Sequence, residues 1–286
     1  MSTLKDFNAV IRSQNTQAYL ADVLGEKKET FVSNLTALVS NDTKLQECKP
    51  VTLMYAALTA TALDLPLDKN LGFAYVIPYK NNRERVTEAQ FQLGAKGVKQ
   101  LAIRSGQFLK MNVTDVREGE IASRDRMSGD MTFNWLDDDA RAKAKVVGYL
   151  AYFKLVNGFD RQLYMAVDEI KAHATRYSQT FSSKNDYVRK SSKWTTDFDK
   201  MAEKTVMKLL LSKWAPLSVD MQTAFRADQS VQRESGQYSY VDNDKSGAKN
   251  KLVEIAEDNA TAEDAAAEEV TEEQNEKTSN DETVQS

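Results

Sequence analysis

Residues 71–107 read LGFAYVIPYKNNRERVTEAQFQLGAKGVKQLAIRSGQ, and the change of period inside them decides the fold. Phe73, Tyr75, Ile77 and Tyr79 alternate along the first run, which is the two-residue period of a strand. After a basic turn over residues 80–85, Val86, Glu88, Gln90 and Gln92 share one face of a second strand. Thr87, Ala89, Phe91 and Leu93 share the other. From Gly94 the period becomes 3.6: Val98, Leu101 and Ala102 fall on one side of a helical wheel, Lys96, Lys99, Gln100 and Arg104 on the opposite arc. Between Lys69 and Lys110 eight Lys or Arg stand against two acids, Glu84 and Glu88. Such a composition suits a surface for a polyanion.

The same stretch resembles the core signature of the RecT family of phage and prophage recombinases, the ATP-independent single-strand annealing proteins. The likeness rests on Leu71-Gly72 leading into an aromatic strand that ends in Pro78 and Tyr79, then on Gln90, Gly94, Lys96, Gly97 and Arg104-Ser105-Gly106-Gln107. It resumes at Met201-Ala202, Lys204-Thr205, Lys208 and Leu210, so that it covers about residues 40–225. Lys96 and Lys208 stand where either Lys or Arg fits the pattern, which makes charge rather than side-chain identity the requirement there.

Outward from this stretch the chain keeps switching period. Residues 1–45 read as two helices, with Phe31, Leu35, Leu38 and Val39 at helical spacing in the second. Pro50 suits the first turn of a further helix, apolar nearly all round over residues 51–65 and therefore buried. Residues 108–135 read as strands broken at Gly119 and Ser128-Gly129. The charged run 137–145 reads as a loop or a short exposed helix. A long strand over 146–156 and a returning one over 159–165 flank Asn157-Gly158, the dipeptide of a type I′ turn. A short helix over 168–175, a polar loop region over 177–192 and a firm helix over 197–214 follow. On the last wheel Phe198, Ala202, Thr205, Val206 and Leu209 make the buried side, and Lys200, Lys204 and Lys208 a basic ridge. Helices, then meandering strands, then helices predict an α+β domain with a mainly antiparallel sheet packed on helices.

The 286 residues carry a formal net charge of −4, but the charge is segregated. Residues 254–286 hold twelve acids and one lysine, which leaves 37 bases and 30 acids before them, a body of +7. Beyond about residue 245 little apolar content remains except Leu252, Val253 and Ile255, so 246–286 is expected to be a disordered acidic tail on a 1–245 domain. Cys48 is the only cysteine, which fits a reducing compartment. The start MSTLKDFNAV lacks a signal-peptide core, and the longest uncharged apolar run, residues 51–63, falls short of the ~20 needed to cross a bilayer. The expectation is a cytoplasmic protein of a bacterial host cell, with no membrane partner.

No residues suggest an active site. His173 is the only histidine, and a lone His in a polar helix is a surface or partly buried residue before it is a ligand. No GxxxxGK[ST] run occurs, and Gly94-Ala95-Lys96-Gly97 is too short to wrap a triphosphate. Asp137-Asp138-Asp139 point in different directions, and Asp197 and Asp199 lie about 200° apart on a helix, so neither group converges on one Mg²⁺. A metal-dependent nuclease, or another nucleic-acid enzyme, would need carboxylates that only folding could bring together. A purely protective binder of single strands is the other alternative.

The basic residues therefore carry the reading. Lys96, Lys99 and Arg104 on one helix, Lys200, Lys204 and Lys208 with Thr205 on the other, Lys80 and Arg83 in the turn, and Gln90 are the candidate DNA contacts. Tyr75 and Tyr79 are candidates to stack bases, although an aromatic stripe on a strand is also the pattern of a core face. Gln90 could equally be a buried amide that satisfies backbone groups. The resemblance implies a β-β-β-α annealing core, pairing of complementary single strands into annealed duplex without ATP, and no cofactor, with Mg²⁺ only modulating strand repulsion. It also implies homo-oligomers in rings or helical filaments, and cooperation with a phage exonuclease and a host single-strand binding protein. For the acidic tail, competition with DNA phosphates is expected, the alternatives being contact with such a partner or a solubilising role alone.

Overall fold

A computed structural model describes residues 3–81, 84–232 and 238–239. Three helices open the chain where two were expected: α1 (Leu4–Ile11), α2 (Gln14–Leu24) and α3 (Lys28–Ser40). The additional break comes at Ser13, whose hydroxyl accepts the Thr16 amide and caps α2, and Gly25, at φ 52°, ends that helix. Phe7, Ile11, Leu20, Phe31, Leu35 and Val39 are buried. A single turn, α4 (Thr43–Gln46), leads to α5 (Pro50–Ala62), which has Pro50 at its first position and eight buried residues. Burial on all sides makes α5 the hub of the core.

Strands β1 (Ala74–Asn81) and β2 (Val86–Leu93) form the antiparallel hairpin read from the sequence, with Tyr75 opposite Gln92, Ile77 opposite Gln90 and Tyr79 opposite Glu88. Ala74, Val76, Ala89, Phe91 and Leu93 are buried in the core, and the Ala89 amide donates to the Thr52 hydroxyl of α5 at 2.9 Å. The helix α6 (Ala95–Arg104) follows at once.

A second sheet has the order β3-β6-β7, all antiparallel, from β3 (Phe108–Arg117), β6 (Val146–Leu155) and β7 (Asp160–Ala166). Between β3 and β6 the chain inserts a two-stranded hairpin, β4 (Ile121–Arg124) with β5 (Met131–Phe133), and the short α7 (Asp138–Lys143), capped by Asp137. The turn at Asn157-Gly158 joins β6 to β7 as predicted, but it is not type I′. Only Gly158 takes a positive φ, 93°; its amide donates to Leu155 O at 3.1 Å and the Asn157 side chain accepts the Phe159 amide. A three-residue loop closed by a left-handed glycine results.

After β7 come α8 (Val167–Tyr177), α9 (Asp186–Lys190) within the expected polar loop, α10 (Lys193–Thr196), α11 (Phe198–Trp214) and α12 (Val219–Ala227), then the short strands β8 (Val231–Gln232) and β9 (Tyr238–Ser239). α11 packs across β3, β6 and β7, burying Tyr149, Ala151 and Phe153, so three antiparallel strands and a helix make the centre of the fold. The architecture is α+β, as the periodicity predicted. Arg83, the boundary at residue 245 and the acidic tail lie outside the described residues.

Candidate nucleic-acid interface

The glycines of the Gly94-Ala95-Lys96-Gly97 run fix where α6 begins. A Cβ built on Gly94 or Gly97 would collide with the backbone carbonyls of Gly72 and Phe73, and the Gly94 amide donates to Phe73 O at 2.8 Å. Only glycine lets the first turn of α6 press on the entry to β1. That contact brings Lys96 beside the hairpin: a Cβ on Gly72 would lie 3.8 Å from Lys96 Cδ and 3.3 Å from the Tyr75 hydroxyl. The wheel then does what the spacing predicts. Val98, Leu101 and Ala102 are buried, and Lys96 and Lys99 are exposed. Among the described residues neither lysine forms an ion pair. α6 has no side-chain cap at Gly94 and no acid in its first turn, so its amide end adds positive potential near Lys96.

Lys99 acts on the other helix through the field it exerts on Glu203. Burial raises the Glu203 carboxyl above its usual range; Lys99 and Lys200 pull it back, while Asp199 and Asp115 push it further up. α6 and α11 pack together, so the charges of Lys99 on one helix and Lys200 on the other both act on the Glu203 carboxyl. Lys200 is exposed, held only loosely by Asp197 at 3.8 Å.

The rest of the expected ridge on α11 does not face water. Lys208 is 14% exposed and bonds the carboxylate of Asp228, which is itself buried and accepts the Leu93 amide at 2.9 Å. Burial pushes the Lys204 ammonium below its ordinary value and Lys208 adds to this, with Asp228 opposing. Burial alone would raise Asp228, but Lys204, Lys208 and the Leu93 amide outweigh it and hold its carboxyl below the usual range. Lys208 thus pairs directly with a buried carboxylate whose charge Lys204 also feels, without an ion pair of its own to it. The physical reason is that α11 has two packing sides, the three-stranded sheet and α6, so that Ala202, Thr205, Val206, Met207, Leu210 and Leu211 are buried around most of its circumference. Thr205, 9% exposed, belongs to that packing and presents no free surface.

Arg104 is also differently employed. Its guanidinium donates to Leu63 O at 3.0 Å and Asp64 O at 2.9 Å and pairs with the Asp64 carboxylate at 3.2 Å. It binds the orphan carbonyls that end α5, clamping α6 to α5. Tyr79 is buried and takes a hydrogen bond from the Gln179 side chain, so its ring is not an open stacking face, whereas Tyr75 stays half-buried beside Lys96. Gln90 is 7% exposed and its Nε2 finds no acceptor among the described residues. Lys80 is exposed next to the turn.

Asp228 was invisible in the sequence. Nothing local marks it as the partner of a lysine twenty residues earlier; the one hint is that Gln229, at φ 66°, turns the chain sharply after α12. Three of the five acids weighed as metal ligands have other partners. Asp137 caps α7, Asp197 pairs with Lys193 at 2.8 Å, and Asp199 accepts the Tyr149 hydroxyl. Burial, with Asp199 beside it, drives that hydroxyl far above the ordinary tyrosine range. Among the described residues no three His, Cys, Asp or Glu gather as a metal site, and no helix is long and apolar enough to cross a membrane.

A sequence model described as the RecT family matches residues 29–242. The uncharacterized protein YqaK of Bacillus subtilis (strain 168) is 37% identical over 203 residues, covering 71% of this chain and 65% of its own length. Protein RecT of Escherichia coli (strain K12) is 26% identical over 234 residues, covering 75% of this chain and 80% of that protein. The chain thus spans just under two thirds of the Bacillus relative.

Proposed function

The chain belongs to the RecT family, and from that premise we propose that it binds single-stranded DNA along the Lys96–Lys99–Lys200 surface and anneals it to a complementary strand in recombination. One observation supports the surface: Lys96 and Lys99 stand exposed on one arc of α6 with Tyr75 near Lys96, and Lys200 stands exposed on α11, which packs against α6, none of the three with a tight ion-pair partner among the described residues. Cations so placed neutralise phosphates without reading bases. A strand held by its backbone keeps its base edges available, and pairing with a second strand then supplies both specificity and driving force. Nothing in this scheme consumes a nucleotide. Mg²⁺ would act only by screening the two strands.

On this reading Lys204, Lys208 and Arg104 support the surface from beneath, fixing α11 and α6, and Lys80 extends it near the end of β1, while Arg83 stays a candidate on its place in the sequence alone. The orphan amide of Gln90 offers a donor to a bound strand if the hairpin face opens. Subunits sharing one strand would assemble into a ring or filament, and an exonuclease that exposes single strands is the natural supplier of substrate. The protein works in the cytoplasm of a bacterial host on this proposal.

The test is fluorescence-detected annealing of two complementary oligonucleotides, with EDTA and without ATP. Acceleration is expected, with affinity for a single strand falling linearly in log salt by about 0.7 per phosphate contact. Binding without faster annealing would favour a protective role. A requirement for ATP, or cleavage of DNA in Mg²⁺, would favour an enzyme and overturn the proposal.

A further inference from the structure

The insertion between β3 and β6 carries an exposed apolar side chain that neither the core nor the proposed surface uses. β4 and β5 pair only with each other, and the turn between them, residues 125–130, presents Met127 at 95% exposure, well above the other exposed large apolar residues. A methionine held so far out on a loose loop would mean little. This turn is not loose. Asp125 Oδ1 accepts the Met127 amide at 2.8 Å, Asp125 Oδ2 accepts the Ser128 hydroxyl at 3.0 Å, and the Asp125 amide donates to Asp130 O at 2.9 Å. Gly129, at φ 78°, closes the loop onto Asp125 O. From the neighbouring sheet, Arg161 Nη1 donates to Ser128 O at 2.7 Å and Gln162 Nε2 to Met131 O at 3.0 Å.

The charges at the tip are sorted. Asp125 is occupied by the amide and hydroxyl it accepts, and Asp130 lies 4.0 Å from Arg161. Arg124 and Arg126, either side of Asp125, are exposed and form no ion pair among the described residues. The outward surface therefore carries two guanidiniums flanking one thioether, with Asp125 engaged in the turn and Asp130 exposed at its edge. The nearby aromatic pair has internal partners: Phe133 stacks on Trp135 at 4.9 Å, and Arg141, locked to Asp115 and Glu120, lies 5.6 Å over the same half-exposed indole.

We propose that this hairpin tip is a second DNA contact, in which Arg124 and Arg126 hold neighbouring phosphates and Met127 inserts between two bases. The inference rests on the reading that the protein binds single strands. A slim, polarizable, unbranched side chain suits a wedge, and apolar wedges part base steps in other DNA complexes. A pre-ordered turn avoids the entropy of fixing the wedge on binding. A lone apolar residue between cations offers too little area for a protein partner, for which a contiguous patch of several hundred Å² is usual. The wedge would break the stack of the bound strand, so that a complementary strand meets bases already separated.

The experiment compares full-length wild type, Met127→Ala and Arg124→Ala/Arg126→Ala at saturating oligonucleotide carrying 2-aminopurine. Wild type should raise the fluorescence of the unstacked base, and Met127→Ala should lose most of that rise while keeping the wild-type salt slope. The double arginine variant should lower the salt slope by about 1.4, two contacts of about 0.7 each. All three residues are exposed, so circular dichroism should stay unchanged. Equal fluorescence and equal annealing for Met127→Ala would overturn the wedge while leaving the proposed function standing. A Met127→Ala variant that keeps the signal but sediments as a smaller assembly would overturn it in favour of a protein contact. Failure of the wild type to bind DNA would remove both proposals.

Discussion

α6 and α11 carry the same sequence signal, lysines spaced along one arc of a helical wheel, and the fold treats them oppositely. On α6 Lys96 and Lys99 stand in water, because the helix has one packed face and glycines that seat it flat on the start of β1. On α11 Lys204 and Lys208 turn inward to Asp228, because a second helix closes the side that a single wheel leaves open. Charge periodicity reports where a cation sits on its own helix. It does not report how many neighbours that helix has. A lysine on a one-sided helix is a contact in waiting, and a lysine on a two-sided helix is part of the frame.

The sharpest way to break the contrast is Asp228→Ala. It would leave Lys204 and Lys208 without a carboxylate and the Leu93 amide without an acceptor, at a cost of about 3–5 kcal/mol. Urea unfolding measures it, and an unchanged midpoint would show that the ammoniums escape to water and the frame is illusory. Next comes Arg104→Ala, which frees the carbonyls of Leu63 and Asp64. A loss of about 1–2 kcal/mol is expected, discounted because the guanidinium is partly exposed. Arg104→Lys should recover little of it, since one ammonium cannot span both carbonyls.

pH sharpens the same comparison. A carboxyl held below its unfolded value contributes stability that is complete above the ordinary carboxylate range and is lost as pH falls through the lower folded value. For Asp228 the loss therefore lies on the acid side, below about pH 4. Asp228→Asn should flatten the fall in urea midpoint between about pH 5 and pH 3; an unaltered slope would assign the acid limb to other carboxyls. The smallest effect is on the free side. Lys96→Ala and Lys99→Ala should change stability by no more than about 0.5 kcal/mol, yet each should lower the salt slope of DNA binding by about 0.7. Wild-type slopes in both would show that the exposed face is only a solvated one.

The elements with a single period were legible in the sequence. The two strands of the hairpin and their alternating faces follow from period alone, and the apolar circumference of α5 announced its burial. What failed was partnership at a distance. Asn157-Gly158 predicted the right hairpin with the wrong turn, since only the glycine needed a left-handed backbone. Tyr79 read as a possible stacking face until Gln179, a hundred residues on, reached it. The Lys204–Lys208–Asp228 cluster depends on a loop aspartate that no local pattern distinguishes.

One feature of β2 bears on how the chain is made. β1 covers one edge of this strand, but the other is closed by Cys48 and Lys49 beside Thr87 and, at the far end, only by Asp228, Gln229 and Ser230 against Leu93 and Phe91. During synthesis the Phe91–Leu93 segment emerges some 135 residues before the segment that seals it. At about 5–20 residues per second, the ribosome leaves that edge open for roughly 7–27 s. A nascent chain stalled before Asp228 would display an unpaired apolar strand edge, the kind that recruits other chains. Productive folding of the body is therefore a late event, completed only when the segment after α12 has cleared the exit tunnel, and premature termination before residue 228 should yield aggregate rather than a smaller domain.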